Sequence, residues 1–107
     1  MTVEQILALV DGVKKGELND EIKIRWIGDV DGTVQSEIHG VPAEKIVLPE
    51  ASDDKLAVPE AYGRVYMLYI LAMTALAEGD TAAYRQLSKD YESALAMYAR
   101  YYIRTRK

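Results

Sequence analysis

The sequence predicts an all-α fold, with one domain over residues 1–107 built from four helices and a long loop. Apolar residues recur at spacings of three and four along most of the chain, which is the period of one helical face. Residues that typically stop and start helices separate these stretches. The predicted helices cover residues 2–15, 20–38, 60–78 and 81–105, the loop covers 39–58, and the last two helices form a hairpin.

The first helix opens on Thr2 and Gln5, which have the spacing of a capping box. Lys14 and Lys15 suit the negative end of a helix dipole, and Gly16 is a typical helix stop. The apolar face of this helix is formed by Ile6, Leu9, Val10 and Val13.

The second segment, residues 20–38, fits two structures. The run Ile22–Trp26 alternates like a strand, and Asp31-Gly32 is a common hairpin-turn dipeptide. A helix would have Asn19 as its N-cap, although each of its two glycines costs about 1 kcal/mol relative to alanine. One arc of that helix would carry Ile22, Trp26, Ile27, Val30, Val34 and Ile38. The pattern alone leaves the two structures nearly even, with a slight preference for the helix.

The loop over residues 39–58 is punctuated by Gly40, Pro42 and Pro49. Its apolar residues are too numerous for a free linker, so we expect it to pack along the helices. They are Val41, Ile46, Val47, Leu48, Leu56 and Val58. A connection of this length in a small domain is often functional.

The third helix follows Pro59, a residue suited to a first helical turn. No charged residue occurs from Val65 to Ala77, a stretch shorter than the roughly 20 residues that span a bilayer. Such a helix must be covered by the rest of the domain or by another subunit. Gly79 then ends it and Asp80 starts the fourth helix.

The composition is that of a globular protein, since half of the residues are apolar and 28% are charged. The chain has no cysteine, which excludes disulfides, thiolate metal sites and a cysteine nucleophile, and which favours the cytosol. The first ten residues contain Glu4 and no base, so no signal peptide is predicted. The one basic cluster, Arg100, Arg104, Arg106 and Lys107, is small for a nucleic-acid binder.

A search for catalytic or metal-binding residues finds no convincing set. His39 is the only histidine and has no obvious partner, so we interpret it as an exposed loop residue. Asp29, Asp31 and Gly32 resemble part of a calcium loop, but the glycine comes too early and Gly40 stands where a glutamate is needed. These acids are interpreted as solvated. We therefore predict no catalytic residue, no cofactor and no metal, and a protein that is not an enzyme.

All eight tyrosines lie in the last 46 residues, and there is no phenylalanine. Tyrosine is favoured where the ring is buried and the hydroxyl meets water or a polar group, as at subunit interfaces. Tyr66, Tyr69, Tyr101 and Tyr102 do not fit on one seam with the other four, so we predict that some of them contact another chain. On this basis the paired change of Tyr101→Ala and Tyr102→Ala is expected to weaken assembly more than folding.

Several segments resemble the head–tail connector, or adaptor, proteins of tailed phages and prophages. They include Leu56–Tyr62, Val65–Tyr69, Ala77–Asp80 and Ala99–Thr105, together with Asp20–Lys23, Trp26 and Asp31-Gly32. The resemblance covers most of the chain and rests on structural motifs. It implies a helix over 20–38, with Gly32 as a weak point or kink. The sequence departs from the family pattern in 81–88 and in the long loop.

The resemblance implies a structural virion-assembly protein, made in the bacterial host cytoplasm and located in the virion neck. Copies would form a homo-oligomeric ring, twelve-fold on the portal, that binds the portal protein and other neck or tail-completion proteins. DNA would pass through the ring without sequence-specific binding, and no membrane is involved. The basic end with Arg104 and Arg106 is the candidate for docking a partner. The alternative is a small helical regulatory or antitoxin-like protein that binds a protein partner.

Overall fold

The structure is a computed structural model that describes residues 1–13 and 19–106. Four α-helices occur in these residues: α1 (Val3–Val13), α2 (Asp20–Thr33), α3 (Arg64–Ala77) and α4 (Thr81–Thr105). A π-helical turn, Val34–Ile38, extends α2, and 3₁₀ turns occur at Ala43–Lys45 and Glu60–Tyr62. The described residues contain no strand beyond an isolated antiparallel bridge between Thr2 and Lys55. The predicted all-α fold is confirmed.

The first two helices begin at the residues that the sequence indicates. The Thr2 amide donates to Gln5 Oε1 at 2.9 Å, and the Gln5 amide donates to Thr2 Oγ1 at 3.4 Å. Asn19 Oδ1 accepts a hydrogen bond from the Ile22 amide at 3.0 Å. These contacts satisfy amides that have no partner inside the helix, so both predicted N-caps are confirmed.

The junction between α3 and α4 is also the predicted one. Gly79 has φ +77°, which favours glycine. The Gly79 amide donates to Leu76 and the Asp80 amide donates to Ala75, which is the pattern of a Schellman motif. The Asp80 carboxylate then accepts from the Ala83 amide at 3.1 Å and starts α4.

Three details differ from the predicted boundaries or lie beyond the description. The predicted end of the first helix at residues 14–16 lies outside the described residues. The predicted helix over 60–78 is a 3₁₀ turn followed by α3. The weak point or kink expected at Gly32 comes just before a change of winding, since Gly32 lies within α2 and the π-helical turn begins at Val34, whose carbonyl accepts from the His39 amide.

The helix α3, which is uncharged from Val65 to Ala77, lies at the centre and packs against the other three helices. No residue from Val65 to Ala75 is exposed, and only the two ends of the helix, at Arg64 and at Leu76 and Ala77, are exposed. The chain therefore covers this helix itself. Its half-buried residues, such as Tyr69, leave only part of its surface for a neighbouring subunit.

The buried face of α2 includes two charged residues that the predicted apolar arc left out. Lys23 is 4% exposed and its Nζ atom lies 3.2 Å from Asp11 Oδ1. Asp31 is 2% exposed. Ile22, Trp26 and Ile38 of that arc are only half-buried. These charges interrupt the apolar period, which explains why the pattern alone did not decide between helix and strand.

The long loop packs along the helices, as predicted, at its second end. Leu56 and Val58 are buried, and the Leu56 amide donates to the Met1 carbonyl at 2.9 Å. The middle of the loop differs, because Val47 is 75% exposed. Its backbone is nevertheless held by Gln35, whose amide group donates to the Val47 carbonyl at 2.8 Å and accepts from the Val47 amide at 3.2 Å.

Candidate interaction site on the carboxyl-terminal helix

Four tyrosines and one histidine form an aromatic cluster at the end of α4. Tyr98 is buried, and its ring centroid lies 5.5 Å from that of Tyr62. The Tyr101 ring packs 4.7 Å from Tyr62, and the Tyr102 ring stacks on His39 at 4.4 Å. Tyr101 and Tyr102, both predicted to contact another chain, are thus half-buried against rings of their own chain. Only part of each side chain is therefore left for a partner.

His39 is a structural member of this cluster and not the exposed loop residue that we expected. Its Nε2 atom and the Tyr98 hydroxyl are hydrogen-bonded at 2.6 Å. Burial is the main cause that lowers the pKa of His39, with a further lowering by Arg106, while Asp31 acts in the opposite direction. The interaction joins residues 59 positions apart, so it ties the end of α2 to α4.

Tyr66 was a predicted interface residue, and the structure corrects this. Its side chain is completely buried, and its hydroxyl donates to Asp31 Oδ1 at 2.6 Å while accepting from the Val58 amide at 3.1 Å. The same Oδ1 atom accepts from the Ala57 amide at 2.8 Å. The polar partner that Tyr66 needs is therefore inside the domain. Asp31, interpreted as solvated, is a buried acceptor that fastens the loop to α2 and α3.

A second aromatic pair joins the opposite halves of the helical hairpin. The ring centroids of Tyr69 and Tyr91 are 5.2 Å apart. Burial raises the pKa of Tyr91 to about 12 and also raises the pKa of Tyr69. Both rings are half-buried, so Tyr69 retains only partial access to a second chain.

The outward face of α4 carries exposed apolar and basic side chains. Met97 is 55% exposed and Ile103 is 72% exposed. On the same surface, Arg100 lies between them and Arg104 lies beside Ile103, and both bases are exposed. Arg106, just after the helix, is exposed as well. The Arg106 guanidinium lies 5.6 Å from the centre of the Tyr102 ring, within the range of a cation–π contact. The predicted residues Arg104 and Arg106 are thus accessible.

A shallow groove of about 280 Å³ lies beside this face, between α4 and the turn that precedes α3. Its floor is apolar, and its charged members are Arg64 and Asp90, the second of which accepts from Gln86 Nε2 at 3.0 Å. The lining residues are Ala61, Tyr62, Arg64, Asp90, Ser93, Ala94 and Met97. Such a groove suits the binding of a side chain or a helix.

Two other classes of site were searched for in residues 1–13 and 19–106. No group of three or more histidine, cysteine or acidic side chains is placed to hold a metal ion. No helix of this part is both long enough and apolar enough to cross a membrane.

The polar outer face of α4 could be recognised from the sequence, but it was not predicted to be an interaction site. Arg85 and Lys89 are four positions apart, as are Arg100 and Arg104, and such spacing places each pair on one side of a helix. The burial of Tyr66 had no comparable signal, because its partner Asp31 is 35 positions away and fits several other interpretations.

The chain was compared with protein-family models, with curated proteins and with solved structures, and none of them matches it.

Proposed function

We propose that this chain is a structural subunit of a tailed-phage neck, a head–tail connector that assembles into a ring under the portal and joins head to tail. The observation that carries the proposal is the outer face of α4. It leaves Met97, Arg100 and Ile103 exposed on one side of a single helix. An exposed surface of this mixed kind is typical of protein–protein contacts.

The sequence resemblance supports the same role, since its motifs fall where they shape this surface. The segment Ala99–Thr105 is the end of α4 itself. The segment Leu56–Tyr62 supplies Tyr62 to the aromatic cluster and Ala57 to the buried contact with Asp31. Of these motifs, one is therefore the end of α4 and the other packs Tyr62 against it.

The proposal is tested with the portal protein encoded in the same genome. The purified chain and purified portal rings are mixed, separated by density-gradient sedimentation and viewed by negative-stain electron microscopy. We expect co-sedimentation and an added ring on one end of the portal. The gene is expected between the major capsid gene and the tail genes.

A matched pair of variants makes this test specific. Arg100→Ser with Arg104→Ser removes two charges from the outer face of α4, whereas Arg25→Ser with Lys45→Ser removes two exposed charges elsewhere. Only the first pair should weaken portal binding, by about tenfold or more for contact charges. If the wild type neither binds the portal nor self-associates at high concentration, the role is refuted. A stable dimer that does not bind the portal would favour the alternative function, a small helical regulatory protein.

A further inference from the structure

The charges of this chain are divided between its parts. Residues 1–80 contain fifteen acidic and seven basic residues, whereas residues 81–107 contain two acidic and six basic residues. Since α4 occupies most of the second part, one helix is positive in an otherwise acidic molecule. Electrostatic attraction between two copies is therefore strongest when α4 of one meets the acidic part of the other.

The basic residues of α4 are free to make such a contact. Arg85, Lys89, Arg100 and Arg104 are all exposed. Within the described part of the chain, none of the four has an acidic group at ion-pair distance. Another molecule can therefore pair with these charges without first breaking an ion pair within this chain.

The middle of this face is small and apolar. Ser93, Ala96 and Met97 are exposed between the two basic pairs, and Ile103 lies near the end. Small side chains allow another element to approach closely, and the apolar ones gain from leaving water. A phosphate backbone would favour an unbroken row of bases, so this arrangement fits a protein surface better than a nucleic acid.

A surface of complementary character lies on α1. A groove of about 320 Å³ is lined there by Met1, Gln5, Ala8, Leu9 and Glu60, and we name it the α1 groove. Leu9 is 45% exposed within it. The groove lining includes the exposed acid Glu60, and a second exposed acid, Glu4, precedes the lining residue Gln5 in α1. The Glu4 amide donates to the Ser52 carbonyl at 2.8 Å, which holds the acidic loop residues Asp53 and Asp54 next to Glu4.

We propose that the outer face of α4 of one copy docks into the α1 groove of a second copy. Met97 and Ile103 would cover the exposed part of Leu9, and Arg100 and Arg104 would face Glu4 and Glu60. The two surfaces differ, so the contact is heterologous and repeats from copy to copy, as a ring requires. This inference rests on the proposed assembly role and identifies the surfaces that carry it.

The test reverses the charges of one surface at a time. The first variant carries Arg100→Glu with Arg104→Glu, and the second carries Glu4→Lys with Glu60→Lys. Each variant alone repels its own copies, because both of its surfaces then have the same sign. A mixture of the two restores opposite signs at every contact.

Self-association is measured by sedimentation velocity over a concentration series, alone and with portal rings, at low and at high salt. We expect the wild type to assemble, more weakly at high salt, and each variant to lose about tenfold or more in association. The equimolar mixture should recover most of the wild-type behaviour. Circular dichroism melting checks that both variants fold.

The possible results distinguish a failure of this contact between copies from a failure of the proposed connector role. Assembly of either variant alone at the wild-type level, or a mixture as dissociated as its components, overturns the contact. If the wild type binds the portal while the reversed variants form the same ring, the contact is wrong and the connector role stands. If the wild type neither assembles nor binds the portal, both are wrong.

Discussion

The Tyr66 hydroxyl donates a hydrogen bond to the Asp31 carboxylate across 2.6 Å in the interior of the domain. Both side chains are at most 2% exposed. The carboxylate also accepts from the Ala57 amide, and the hydroxyl also accepts from the Val58 amide, so the two side chains fasten the end of the long loop. Burial, together with this hydrogen bond, raises the pKa of Tyr66, which stays protonated as a donor.

Tyr66→Phe tests how much this contact stabilises the domain. The change keeps the ring but leaves the Val58 amide without its acceptor and Asp31 without one of its donors. We expect a loss of about 1–3 kcal/mol in the free energy of unfolding, the usual cost of unpaired buried groups. Urea denaturation followed by circular dichroism measures this loss.

The control is Tyr84→Phe, because Tyr84 is half-buried and its hydroxyl makes no hydrogen bond within the described residues. Its free energy of unfolding should lie within about 0.5 kcal/mol of the wild-type value. Equal stability of the two variants would contradict the prediction.

Gln35→Ala tests whether one side chain holds the exposed middle of the loop. Gln35 makes two hydrogen bonds to the Val47 backbone and a third, at 2.8 Å, to Asp31 Oδ2. Without it, the Val47 amide loses its acceptor and should exchange with solvent faster, while amides of α3 keep their protection. Hydrogen exchange followed by NMR at single-residue resolution measures both. Unchanged exchange at Val47 would show that other contacts hold the loop.

The ends of the helices could be predicted from the sequence because their signals are local. The capping box at Thr2 and Gln5 and the stop and start at Gly79 and Asp80 are each contained within a few residues. The surroundings of Tyr66 could not be predicted, because its acceptor Asp31 comes from a distant helix. A hydroxyl that needs a partner does not indicate whether that partner is inside the domain or on another chain.

The contacts within the aromatic cluster at the candidate site could not be predicted from the sequence either. The periodicity of α4 predicts that Tyr98 and Tyr102 lie on one face of the helix, but it does not predict that His39 packs against both of them. By contrast, helical spacing predicts where the exposed basic pairs lie on α4 once this segment is assigned as a helix. Surface features of a single helix were therefore predictable, and contacts between elements were not.

The two glycines of α2 form a matched pair for a stability test. A Cβ atom at Gly28 would have no other atom within 4 Å, whereas one at Gly32 would lie 3.1 Å from Leu48 Cδ2. Gly28→Ala should therefore stabilise the protein by about 0.5–1 kcal/mol, through the lower conformational entropy of the unfolded chain. Gly32→Ala should gain less, because the Leu48 side chain must move. Thermal and urea denaturation compare the two variants. A larger gain at Gly32 than at Gly28 would contradict the geometry.

The stability of the domain should depend on the charge of His39, its only histidine. The pKa of this side chain is lowered from 6.5 in the folded protein, chiefly by burial, so the unfolded chain binds its proton more readily. The contribution to stability is complete above pH 6.5, declines as the pH falls through 6.5, and is gone below the folded pKa. Urea denaturation across this range should show a loss for the wild type that the His39→Gln variant does not share. NMR titration of the His39 ring gives the folded pKa directly, and a value at or above 6.5 would refute the argument.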